Sequence, residues 1–71
     1  PPMDLRRRLG LRVQALRGEA GLSQDELAHR AGLHRTYVSG VERGVRNPTI
    51  TVLEKLAKAL GVPLSTLVAF D

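Results

Sequence analysis

The sequence predicts an all-α domain of five short helices on three observations. Apolar residues recur at intervals of three and four, helix-start and helix-stop residues bracket each recurrence, and no stretch alternates apolar with polar residues as a half-buried strand would. The first helix begins after Asp4, whose carboxylate suits the free amides of a helix start. It carries Leu5, Leu9, Val13, Leu16 and Ala20 on one stripe before Gly21 stops it. "SQDE", residues 23 to 26, is a capping box in which the Ser23 hydroxyl and the Glu26 carboxylate each satisfy an amide at the start of a second helix. That helix runs to Ala31 and ends where Gly32 can take the left-handed conformation.

A third helix fits between His34 and Arg43, with His34 standing in as N-cap and Gly44 closing it. Asn47-Pro48 forces an extended or turn segment, after which Thr49 caps a fourth helix whose stripe is Leu53, Leu56, Ala57 and Leu60. Gly61 ends that helix, and Pro63 opens a short fifth, Leu64 to Ala69. Gly10, Gly18 and Gly40 lie inside helical stretches, at about 1 kcal/mol each relative to alanine. A close helix crossing would offset Gly10; Gly40 either opens room for a ligand or merely weakens its helix.

Seventy-one residues make one domain, read as 3 to 71 with Pro1 and Pro2 as an extraneous remnant ahead of Met3. A chain of this size buries only about 60% of the surface its unfolded state exposes. With no cysteine there is neither a disulfide framework nor a thiolate metal site, which leaves oligomerisation as the means of stabilising so small a core. The uncharged run from Val62 to Phe70 is far shorter than the roughly 18 apolar residues of a membrane span. Arg6-Arg7-Arg8 resembles the start of a signal peptide, but Arg12 and Arg17 interrupt the stretch after it, so a soluble cytoplasmic protein is expected.

The formal charge of +4 points to a polyanionic partner without choosing among nucleic acid, anionic lipid and acidic protein. Placement says more than the total. Between residues 24 and 43 two short helices meet across a glycine turn, with Ala28 and Ala31 small enough for close approach and Leu27 and Leu33 flanking the crossing. If Val38 and Val41 point inward, helical spacing puts Arg35, Thr36, Ser39, Gly40 and Arg43 on the exposed side of the third helix, with Tyr37 at its flank.

The segment "GLSQDELAHRAGLHRTYVSGVERGVRNPT" resembles the lambda-repressor-like (Xre) helix-turn-helix family, and the similarity covers about residues 5 to 68. Within that family, "HRTYVSGVERGVRNP" is most similar to the small controller proteins of restriction-modification systems. The resemblance implies a double-stranded DNA operator as partner, bound as a homodimer, with regulation of the chain's own operon. It also implies that the third helix enters the major groove, so that Arg35, Thr36 and Ser39 reach base edges: arginine can donate twice to guanine, and threonine can meet thymine through its methyl group. Tyr37, Arg43, Arg46 and Asn47 match positions where the family commonly touches phosphates, and Gln24 sits at the start of the second helix, where free amides and the dipole favour one. The family often has a long polar side chain where this chain has Gly40, which leaves more of the readout to DNA shape.

Local roles compete with these readings. Tyr37 also suits a half-buried aromatic, Arg43 a complement to the helix dipole, and Asn47 a turn former; Arg46 could reach a minor groove instead of a phosphate. Glu42 would repel DNA and is expected to pair with Arg17 or another arginine of the first helix. Arg6, Arg7 and Arg8 read as solvated surface or as distal phosphate contacts.

Catalytic and metal roles are not expected. His29 and His34 share no helical face and have no third ligand, while Ser23, Asp25 and His29 lie on one exposed helix with no pocket to exclude water. No cofactor and no small-molecule effector are implied. In the fifth helix Leu64, Leu67, Val68 and Phe70 supply more apolar surface than one small core needs and suit a two-fold interface. The alternative is an antitoxin or adaptor whose fifth helix engages another protein.

Overall fold

The computed structural model describes residues 4 to 70, so the reading of Pro1, Pro2 and Met3 lies outside the described residues, as does Asp71. Five helices run in order: α1 (Leu5–Glu19), α2 (Gln24–Ala31), α3 (Arg35–Glu42), α4 (Ile50–Leu60) and α5 (Leu64–Leu67). Their starts are those read from the sequence. Asp4 accepts from the Arg6 amide, Ser23 and Glu26 form the reciprocal capping box, and Thr49 accepts from the Val52 amide. His34 occupies the N-cap position of α3 but its side chain makes no capping hydrogen bond. Gly32, at φ +69°, turns the chain between α2 and α3 in a conformation that costs a side-chain-bearing residue about 1 kcal/mol or more.

The helices enclose one core. Leu9, Val13 and Leu16 of α1 meet Leu27, Ala28 and Ala31 of α2, Val38 and Val41 of α3, Leu56, Ala57 and Leu60 of α4, and Leu67 of α5. α3 packs against both α1 and α2, while α4 packs against α2 and α5. Burial of a leucine or valine side chain stabilises by about 1.5–3 kcal/mol, so these contacts carry the fold.

Three expectations are corrected. Leu5 is 61% exposed because it is the first residue of α1 and overhangs its neighbours, and Ala20 is exposed because the helix ends at Glu19 and Ala20 caps it. Leu53, half-buried, packs against the core from the α4 stripe as read. The fifth helix stops at Leu67, two residues short of Ala69, with Val68 as its C-cap. Leu22, in the α1–α2 connection, is a core residue that no helical stripe includes.

Gly10 is the close crossing. A methyl group there would collide with the main-chain carbonyls of Val41 and Glu42, so α1 rests directly on the C-terminal backbone of α3. The docking is reinforced by Arg7, whose Nη1 donates to the Glu42 carbonyl at 2.7 Å and satisfies a helix-end acceptor. Among the described residues no helix is long and apolar enough to cross a membrane.

Candidate nucleic-acid interface

α3 is held from behind by a buried charge network. Glu42 is 4% exposed and accepts from Arg17 Nε at 2.6 Å and Arg17 Nη2 at 3.0 Å, a bidentate pair, and from Gln24 Nε2 at 3.0 Å. Arg17 Nη1 also donates to the Leu22 carbonyl at 2.9 Å, so one guanidinium joins α1, the α1–α2 connection and α3. Hydrogen bonding to Glu42 raises the Arg17 pKa above its ordinary value. The carboxylate on α3 is thus turned inward and neutralised by the Arg17 guanidinium.

Gln24 is drawn into this network. Its side-chain nitrogen faces Glu42, and the N-terminal turn of α2 retains main-chain amides that have no intrahelical acceptor. Sequence reading misses this role because a neutral amide carries no charge to mark Glu42 as its partner.

The other side of α3 is open. Arg35 and Thr36 are exposed at its N-terminal end and Arg43 at its C-terminal end, with Ser39 half-buried between them. Arg35 has only a long, solvent-exposed contact to Asp25, 3.8 Å, and such a pair contributes about 0–1 kcal/mol. Arg43 Nε donates to Ser39 Oγ at 3.3 Å, which lays one side chain along the helix.

Gly40, expected on the exposed side, is instead buried, because the Arg46 side chain lies across it. The Arg46 guanidinium carbon sits 5.4 Å from the centroid of the half-buried Tyr37 ring, a cation–π contact. Asn47 is exposed beside it.

The arginines of α1 divide differently. Arg7 and Arg17 are committed to Glu42, Arg12 donates twice to the Thr66 carbonyl at 3.1 and 2.9 Å, and Arg6 pairs with Asp4 at 3.2 Å. Arg8 lies 6.0 Å from the Phe70 ring. Much of the formal positive charge therefore fastens the fold, while Arg35, Arg43 and Arg46 stand on or beside the open side of α3.

The residues expected at a dimer interface separate. Leu67 is fully buried in the chain's own core and presents no surface to a second copy, which corrects its assignment. Leu64 and Phe70 are half-buried, and Val68 is 43% exposed. Ile50, 71% exposed, lines a shallow hollow with Thr51, Glu54 and Leu64. A fourth-helix stripe that begins at Leu53 leaves it out.

Two helices crossing at a glycine turn, the second buried along one side and hydrogen-bond-rich along the other, define a helix-turn-helix domain. The helix-turn-helix family model matches residues 13–67, and the chain belongs to that family, in its Xre-type branch of DNA-binding regulators closely related to restriction-modification controller proteins. It is 41% identical over 68 residues to the control protein C.BamHI of Bacillus amyloliquefaciens, covering 94% of this chain and 84% of that one. An uncharacterised HTH-type transcriptional regulator, y4dJ, of Sinorhizobium fredii is 48% identical over 60 residues, 84% of this chain and 78% of its own. The crystal structure of the restriction-modification controller protein C.AhdI from Aeromonas hydrophila superposes with a TM-score of 0.86 at 45% identity, covering 87% of this chain and 94% of that one. The family is one of transcriptional regulators, not of enzymes.

Proposed function

We propose that the chain is a cytoplasmic homodimeric regulator that binds a palindromic operator and controls the restriction-modification operon in which it is encoded. The observation that carries this reading is the asymmetry of α3: its carboxylate is buried against Arg17, while Arg35 and Thr36 are exposed and Ser39 half-buried on the opposite side of a helix, an element that a major groove about 12 Å wide admits. In this reading those three residues meet base edges. Tyr37, Arg43, Asn47 and the α2 start at Gln24 meet phosphates, and Arg46 meets a phosphate or reaches into the minor groove. Names such as control protein C.BamHI and restriction-modification controller C.AhdI among the relatives support the operon context.

Two recognition helices must stand about 34 Å apart to read one face of a duplex, and a two-fold dimer supplies that spacing. Val68 and the half-buried Leu64 and Phe70 offer apolar surface for it, with Leu67 removed from the set and Ile50 added. Sedimentation at micromolar concentration should give twice the monomer mass.

Fluorescence anisotropy with palindromic and random duplexes over a salt series tests the DNA reading. Steep salt dependence together with preference for one palindrome is expected. Flat, equal, weak binding to all duplexes would contradict it and favour a protein-interaction module built on α5.

A further inference from the structure

Position 40 in the middle of α3 carries no side chain, and the chain itself covers the bare surface. After α3, the Val45 amide donates to the Gly40 carbonyl at 3.0 Å and the Gly44 amide to the Val41 carbonyl at 3.0 Å, so the backbone folds back along the helix end. The next residue, Arg46, is thereby laid over Gly40. A methyl group added at Gly40 would fall 2.8 Å from Arg46 Cγ and 3.2 Å from its Nε. Alongside, the Tyr37 ring faces the Arg46 guanidinium.

We infer that Gly40 is a specificity-determining positioning residue: its bare helix surface is the berth that holds Arg46 against Tyr37 and aims that guanidinium into the minor groove beside α3, where it reads groove shape, and not at a phosphate. This rests on the DNA-binding reading above. The side chain that covers α3 at position 40 thus arrives from the loop and not from the helix. Because that side chain is reached through a turn, it can settle on a duplex without moving α3. The obstruction to a larger residue at position 40 is the Arg46 side chain from its Cγ outward and not backbone, so Gly40→Ala turns the whole of that side chain away from the helix, while alanine is itself the better helix former.

The test has two arms. In the free protein, the Arg46 side-chain protons should carry an upfield shift from the ring of the chain's one tyrosine, assigned by its loss in Tyr37→Leu. Gly40→Ala should abolish that shift without lowering the thermal midpoint. For binding, a 30-base-pair duplex enriched by the wild-type chain from a random pool is compared with its scrambled sequence. Gly40→Ala and Arg46→Ala should each reduce the preference by about five- to tenfold, and Gly40→Ala added to Arg46→Ala should change it by less than about twofold.

A preserved ring shift in Gly40→Ala would overturn the berth. So would an equal further loss of preference in the Arg46→Ala background, because the added methyl would then be striking the DNA itself. Failure of the wild-type chain to enrich any duplex would refute the DNA reading and with it the specificity role, and the ring-shift arm would still decide the berth.

Discussion

The two sides of α3 treat polar groups in opposite ways. Inward, Glu42 is closed off and accepts three side-chain hydrogen bonds from two other helices. Outward, Arg35 has one long ionic contact and Thr36 stands exposed. A buried carboxylate must be paired to be tolerated, and pairing it this completely fixes how α3 sits on α1 and α2. Exposed donors that are barely engaged cost little to redirect. The contrast teaches that the orientation of α3 is set by charges on its closed side, while the groups on its open side contribute little to stability.

Substitutions should divide along the same line. Glu42→Ala leaves the Arg17 guanidinium largely buried and uncompensated and should destabilise by about 3–5 kcal/mol, enough to unfold much of so small a domain; urea unfolding measures it. A loss of under about 1 kcal/mol would mean that the network is dispensable and the contrast false. Leu67→Ala should cost about 2–5 kcal/mol in the same assay, while Val68→Ala, one residue on, should hardly change the stability of the monomer.

On the outward side, Arg35→Ala should leave the urea midpoint nearly unchanged and weaken binding by about 1–3 kcal/mol at one base position, relaxing preference there. Arg43→Ala should weaken every duplex alike and reduce the salt slope by about one. Identical profiles from the two variants would merge roles that the interface reading keeps apart.

The smallest effect belongs to the helix caps. The pKa of the Asp4 carboxyl is lowered chiefly by its hydrogen bond with the Arg6 side chain, and that of Glu26 chiefly by the Ser23 amide. Their contribution is therefore present above the unfolded carboxylate values of about 3.9–4.3 and is lost as pH falls through the folded values. Far-UV circular dichroism in acid should show a shallower loss of helix for Glu26→Gln, whose amide keeps the capping geometry but does not titrate.

Much of this is legible in the sequence. Caps, stop glycines and apolar spacing locate all five helices, and a carboxylate amid arginines announces its partner, since Glu42 pairs with Arg17 as read. What escapes depends on distant chain segments or on too short a period. In the four-residue α5, spacing cannot decide whether Leu67 or Val68 faces the core. The bonds from Arg7 and Arg12 to backbone carbonyls have no signature in residue identity, and the descent of Arg46 onto Gly40 depends on the turn at Gly44. The place of Gln24 at a helix start suggests a phosphate, and only the packing of α2 against α3 brings it to Glu42.

The most direct test is an NMR titration of the uniformly labelled chain with the duplex it enriches from a random pool. Amide shifts should concentrate at Arg35, Thr36, Ser39, Arg43, Arg46 and Asn47 and at the start of α2, leaving Arg17, Leu22 and α4 nearly unmoved. Shifts centred on α5 and the outer side of α1, with Arg35, Thr36 and Ser39 silent, would contradict the assignment of α3 as the helix that meets DNA.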